Sequence, residues 1–113
     1  MEIIIPHQNS NSYRERNLKY TLDYYLNSPK VTRVIVVEQE TESVIPPHDK
    51  LVHMKINRDR NYFCRGANIN DGIQYVKSDI IGIIDNDCII NLDIDAEKAL
   101  EECDIFYLSL IHI

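Results

Sequence analysis

Two periodicities divide the chain. Short apolar runs rich in β-branched residues stand at 2–5, 31–38, 51–56, 79–84 and 104–113. Between them lie stretches whose apolar positions recur three and four apart. The first kind predicts strands and the second helices. Ile3-Ile4-Ile5 predicts a first strand ended by Pro6. The polar segment from His7 to Ser12 predicts a loop, and Ser12 followed by Glu15 fits a helix capping box. A helix to about Leu26 follows, with Leu18, Leu22, Tyr25 and Leu26 on one face and Asn27-Ser28-Pro29 as its stop.

Val34-Ile35-Val36-Val37 centres a second strand ended by Glu38-Gln39-Glu40. Leu51 to Ile56 alternates as a third strand, and residues 62–76 predict a second helix. Gly66 and Gly72 weaken that helix, which points to a close approach of sheet or ligand there. Asp79-Ile80-Ile81-Gly82-Ile83-Ile84 is almost continuously apolar after its first residue, the pattern of a strand buried on both faces of a parallel sheet. An acidic helix over 93–103 and an apolar strand over 104–113 complete the order βαββαβαβ. That order predicts an α/β fold: a three-layer, Rossmann-like, mainly parallel sheet with flanking helices. With 113 residues it is one domain. The apolar end, with no polar tail, predicts a domain truncated at its C-terminus, and an uncovered edge there predicts self-pairing into homo-oligomers.

Charge narrows the function classes. The formal net charge of -6 argues against nucleic acid as a partner and against a polybasic membrane surface. No apolar stretch has the length of a membrane span, and the N-terminal run is too short for a signal peptide. Cys64, Cys88 and Cys103 form no zinc or disulfide spacing, so buried thiols in a reducing cytoplasm are expected.

Candidate chemistry concentrates at Asp85-Asn86-Asp87, directly after the apolar run at 79–84. Ligands of open α/β sheets bind outside the carboxyl ends of the strands. Two carboxylates at i and i+2 of an extended end point to one side. Such hard oxygen donors suit Mn²⁺ or Mg²⁺ shared with a substrate phosphate. A strand-to-loop junction with solvated acids is the plain alternative.

Four segments belong together: Ile3-Ile4-Ile5-Pro6 with Asn9, Val36-Val37-Glu38-Gln39, Phe63-Cys64-Arg65 with Asn70-Asp71-Gly72, and Asp85-Asn86-Asp87. In this order they resemble the nucleotide-sugar-binding half of GT-A glycosyltransferases, most of all the family-2 enzymes and related galactosyltransferases. The resemblance implies transfer of a sugar from a nucleotide diphosphate, UDP foremost, to a saccharide or other hydroxyl acceptor. It implies that Pro6 and Gln8 wrap the nucleoside, although the related galactosyltransferases carry Arg where Gln8 and Ser10 stand. It places Glu38 at the base, Arg65 at the nucleotide, and Asn70 and Gly72 in the structural part of the helix. The triplet, Asn86 included, then meets the donor, with Asp85 at ribose or metal and Asp87 as the direct metal ligand.

The family's general base lies well past the acidic triplet. Asp93, Asp95 and Glu97 are the acids available there, and beside Ala96, Ala99 and Leu100 they read as an exposed helix face. No base is assigned; Asp93 and Asp95 are the first to mutate should transfer occur. The chain therefore reads as the donor half of an enzyme. Other readings stand beside it. A catalytically silent nucleotide-sugar-binding or assembly module is one. A haloacid-dehalogenase-like phosphatase is another, but that family carries its Asp-x-Asp on the first strand. A calcium loop is broken by Ile89 and lacks the following glycine. A surface pair between Arg65 and Asp59 or Asp71 is the plain reading of that arginine.

Overall fold

Alternation within two strands builds the centre of the molecule. In the computed structural model, β1 (Glu2–His7) pairs in parallel with β2 (Arg33–Gln39), Ile4 facing Ile35 and His7 facing Glu38. Ile3, Ile5, Val34 and Val36 pack into one core with Leu18, Leu22 and Tyr25 of α1 (Ser12–Leu26). Ile4, Ile35 and Val37 face the other way and join Val52, Met54, Ile56 and Val76. All seven of these β1 and β2 side chains are fully buried, each contributing about 1.5–3 kcal/mol relative to exposure.

The structure describes residues 1–58, 61–93, 95–105 and 110–112. β3 (Leu51–Ile56) adds to β2, and β4 (Ile81–Ile83) adds to β1. The four-stranded sheet runs β3-β2-β1-β4, all parallel. With α1 on one face and α2 (Arg65–Ile73) on the other, the expected three layers are present. Gly72 explains how closely α2 sits: a Cβ there would lie 3.0 Å from Ile4 Cγ2 and 3.1 Å from Val37 Cγ2. Gly66 has open space around it.

Several expectations are corrected. β1 runs through Pro6 to His7. Asn11, not Ser12, caps α1 by accepting from Arg14 N at 3.1 Å, while Glu15 Oε1 instead accepts from Val44 N. α2 is shorter than 62–76, and α3 (Ala96–Leu100) is a fragment of the helix expected over 93–103. β4 has three residues and lies at the edge of the described sheet, so Ile83 is 46% exposed rather than buried on both faces. β5 (Cys88–Ile90) was not expected; it pairs antiparallel with β6 (Leu110–His112). Residues 106–109 and 113 of the expected last strand lie outside the described residues. Of the cysteines only Cys88 is buried; Cys64 is half-buried and Cys103 exposed. Among the described residues no helix is long and apolar enough to cross a membrane.

Candidate functional site

The carboxyl ends of the parallel strands gather the polar residues of the core. Side chains alternate, so Glu38 and Gln39 point to opposite faces of the sheet. Each is fully buried, and each holds a loop. On the α2 face, Gln39 Nε2 donates to Tyr62 O at 2.9 Å, and its Oε1 accepts from Cys64 N at 2.8 Å and Asn68 Nδ2 at 3.1 Å. Those bonds fix the entry to α2 and with it Arg65. Arg58 adds a bond from Nε to Asn68 Oδ1 at 2.7 Å and an ion pair with Asp71.

On the α1 face, Glu38 stands beside His7 of β1 and near His53 of β3. Glu40 turns the chain with φ 59, a left-handed conformation that costs a non-glycine residue about 1–2 kcal/mol. The loop then folds back onto Glu38. Ser43 N donates to both carboxylate oxygens at 3.0 and 2.9 Å, Ser43 Oγ donates at 2.8 Å, and Thr41 Oγ1 donates to Oε2. His53 Nε2 lies 2.7 Å from Oε1. Burial opposes ionisation of Glu38, but the bonds from Thr41, Ser43 and His53 outweigh it and hold the carboxyl below its usual range. His7 is also buried; its ring bridges Ser43 Oγ (3.1 Å from Nε2) and Asn86 Nδ2 (2.7 Å from Nδ1). Burial lowers its basicity, against the Glu38 charge and the Asn9 amide, which favour the proton.

The acidic triplet is not the end of an extended strand. Cys88 N donates to Asp85 O at 3.2 Å, so Asp85 to Cys88 form a turn between β4 and β5. Strand alternation therefore does not orient the Asp85 and Asp87 side chains. The turn points its middle residue inward: Asn86 is buried, Asp85 exposed and Asp87 half-buried. Thr21 Oγ1 of α1 donates to Asn86 O at 2.7 Å, and Tyr25 OH donates to Cys88 O at 3.2 Å. Burial, then the bond to Asp87, pushes the Cys88 thiol up to about 11.

Arg65 and Asp85, twenty residues apart, meet here: Arg65 Nε donates to Asp85 Oδ1 at 2.9 Å, with both side chains about half exposed. Asp71 is taken by Arg58, and Asp59 lies outside the described residues. Pro6 is buried within β1, Gln8 is half-buried in the following loop, and Asn70 is exposed on α2. A shallow cleft of about 490 Å³ lined by Asn57, Arg58, Tyr62, Cys64 and Ala67 opens at the same edge of the sheet. Sequence reasoning missed His7, Ser43 and His53. The available signal was parity: His7 and Glu38 extend the inward-facing series Ile3–Ile5 and Val34–Val36.

The donor chemistry of Asp85 and Asp87, hard carboxylate oxygens, is of the kind that suits Mn²⁺ or Mg²⁺ shared with phosphate and water. No group of three or more His, Cys, Asp or Glu that could hold a metal occurs among the described residues. A fully protein-made cage is thus not what this turn offers.

The family model described as glycosyl transferase family 2 matches residues 2–105. No curated protein and no solved structure matches the chain significantly.

Proposed function

The chain belongs to glycosyl transferase family 2, and on that premise we propose that it binds a nucleotide-diphosphate sugar, a UDP-sugar foremost, at the carboxyl edge of its parallel sheet. The observation that carries this reading is the meeting of Arg65 with Asp85 beside Asp87. A guanidinium matches diphosphate oxygens in geometry and charge. Two carboxylates next to it would hold Mn²⁺ or Mg²⁺, Asp87 as principal ligand and Asp85 in support. When bound, that ion would neutralise charge growing on the leaving diphosphate.

The remaining site residues take supporting roles in this reading. Pro6 and Gln8 shape the wall of the nucleoside pocket after β1. Glu38 acts through the loop that encloses it, and Asn86 holds the acidic turn from inside. The acceptor is a saccharide or other hydroxyl compound. β6 gives one ladder edge to β5; its other edge is the surface through which copies would pair, to be checked by light scattering.

Calorimetry with UDP tests the reading. Affinity should rise with Mn²⁺ and fall by about ten- to hundredfold in Asp87→Ala. Unchanged UDP affinity of Asp87→Ala in saturating Mn²⁺ would refute the metal assignment. Incubation with several UDP-sugars and simple acceptors should give no glycoside product from this chain alone. Metal-dependent transfer would show that a base operates within it.

A further inference from the structure

The Asp85–Asp87 turn is held from inside by the bonds around Asn86. The direction of those bonds, and of the ones around His7, can be read. Glu38, ionised, only accepts. Ser43 Oγ must therefore donate to Glu38, leaving its lone pair for His7 Nε2–H. That sets the His7 tautomer, with the proton on Nε2 and a bare Nδ1. A bare Nδ1 can only accept, which is what it does from Asn86 Nδ2 at 2.7 Å. The polarity of one buried carboxylate thus runs through Ser43 and His7 to the amide between Asp85 and Asp87. Thr21, fully buried, holds the Asn86 carbonyl from the other side. With both its amide and its carbonyl engaged inward, Asn86 leaves the flanking acids facing out.

We propose that His7 is a positioning residue for the acidic turn, locking the Glu38-bound loop and the Asp85–Asp87 turn into one unit. The function of the turn rests on the reading above; the coupling itself does not. Outer partners of metal-holding groups matter in this way because they fix ligand orientation before the metal arrives.

The test uses the full chain and two readouts. Hydrogen exchange at the Cys88 amide, which donates to Asp85 O, reports the turn without metal. Titration with Mn²⁺ alone reports its use. His7→Ala should lower Cys88 amide protection about five- to tenfold and weaken Mn²⁺ binding about ten- to hundredfold. His7→Asn places an acceptor oxygen where Nδ1 stood and should recover most of both, although it too loses Ser43. Should His7→Ala fail to fold, Ser43→Ala, which cuts the link to Glu38, should still show a measurable loss of Cys88 protection. Wild-type protection in His7→Ala or Ser43→Ala, or an Asn variant no better than Ala, would overturn the proposal. A wild-type chain that binds no Mn²⁺ would instead overturn the metal reading, with the exchange data still deciding the role of His7.

Discussion

Each end of the parallel sheet buries one glutamate, and the two are held differently. At the amino edge, Glu2 is 2% exposed and accepts from Lys77 N and Ser78 N, both at 2.8 Å. At the carboxyl edge, the fully buried Glu38 accepts from Ser43 N and from Thr41 and Ser43 hydroxyls. Both carboxyls are kept ionised although burial opposes it, because the hydrogen bonds outweigh desolvation. The difference is the partner. Glu2 has the Arg33 guanidinium at 3.2 Å. Glu38 has the imidazole of His53 at 2.7 Å and, through Ser43, the neutral ring of His7. The amino edge is a fixed staple; the carboxyl edge is a titratable one, and it is the edge that carries Arg65 and the acidic turn.

The largest expected effect breaks the two staples in turn. Glu38→Ala strands the buried Ser43 amide and hydroxyl and frees the half-buried Thr41 hydroxyl, and should cost about 3 kcal/mol in urea unfolding. Glu2→Ala should cost less, about 1–2 kcal/mol, because Arg33 is one-fifth exposed and can turn to water. A larger loss at Glu2 would reverse the comparison.

Acid should then separate the edges. The depressed value of His7 means that the unfolded chain takes up its proton first. Stability from a neutral buried His7 is full above about pH 6.5 and falls as pH drops below it. Glu2 and Glu38, also depressed, contribute fully above the usual carboxyl value near 4.5 and lose that contribution below it. Protection factors at the Ser43 amide should therefore decline as pH falls below about 6.5. Those at Lys77 and Ser78 should hold until pH passes below about 4.5. Simultaneous loss at both edges would contradict the distinction.

The smallest effect concerns the space beside Arg65. Gly66→Ala adds a Cβ that meets nothing within 4 Å. It should stabilise α2 by up to about 0.5–1 kcal/mol in thermal unfolding. If it stabilises the fold yet weakens UDP binding, the open space is a place of ligand approach.

The fold was legible because strand and helix periodicities are carried by many residues at once. The parallel order and the α1 face of Leu18, Leu22 and Tyr25 follow from them. The 79–84 run misled because apolarity reports potential burial, not position in a sheet: β4 lies at the edge, and only part of the run forms ladder. In the site, Arg65 and the acidic triplet were visible as residue types. The roles of Glu38 and Asn86 were not, since each depends on partners from other elements. Ser43 returns to Glu38 because Glu40 turns left-handed, and His7 reaches Asn86 across 79 positions. No local pattern encodes either contact.

Paramagnetic broadening of the amide resonances by Mn²⁺ in the presence of UDP tests the assignment of function to the carboxyl edge most directly. A second acidic group, Asp93, Asp95 and Glu97, lines a cleft of about 460 Å³ with Met1 and Lys30 at the amino edge, so the molecule contains its own control. The account predicts broadening centred on Asp85 to Cys88 and reaching Arg65, abolished in Asp87→Ala. Broadening centred on residues 93–97, or unaffected by Asp87→Ala, would contradict it.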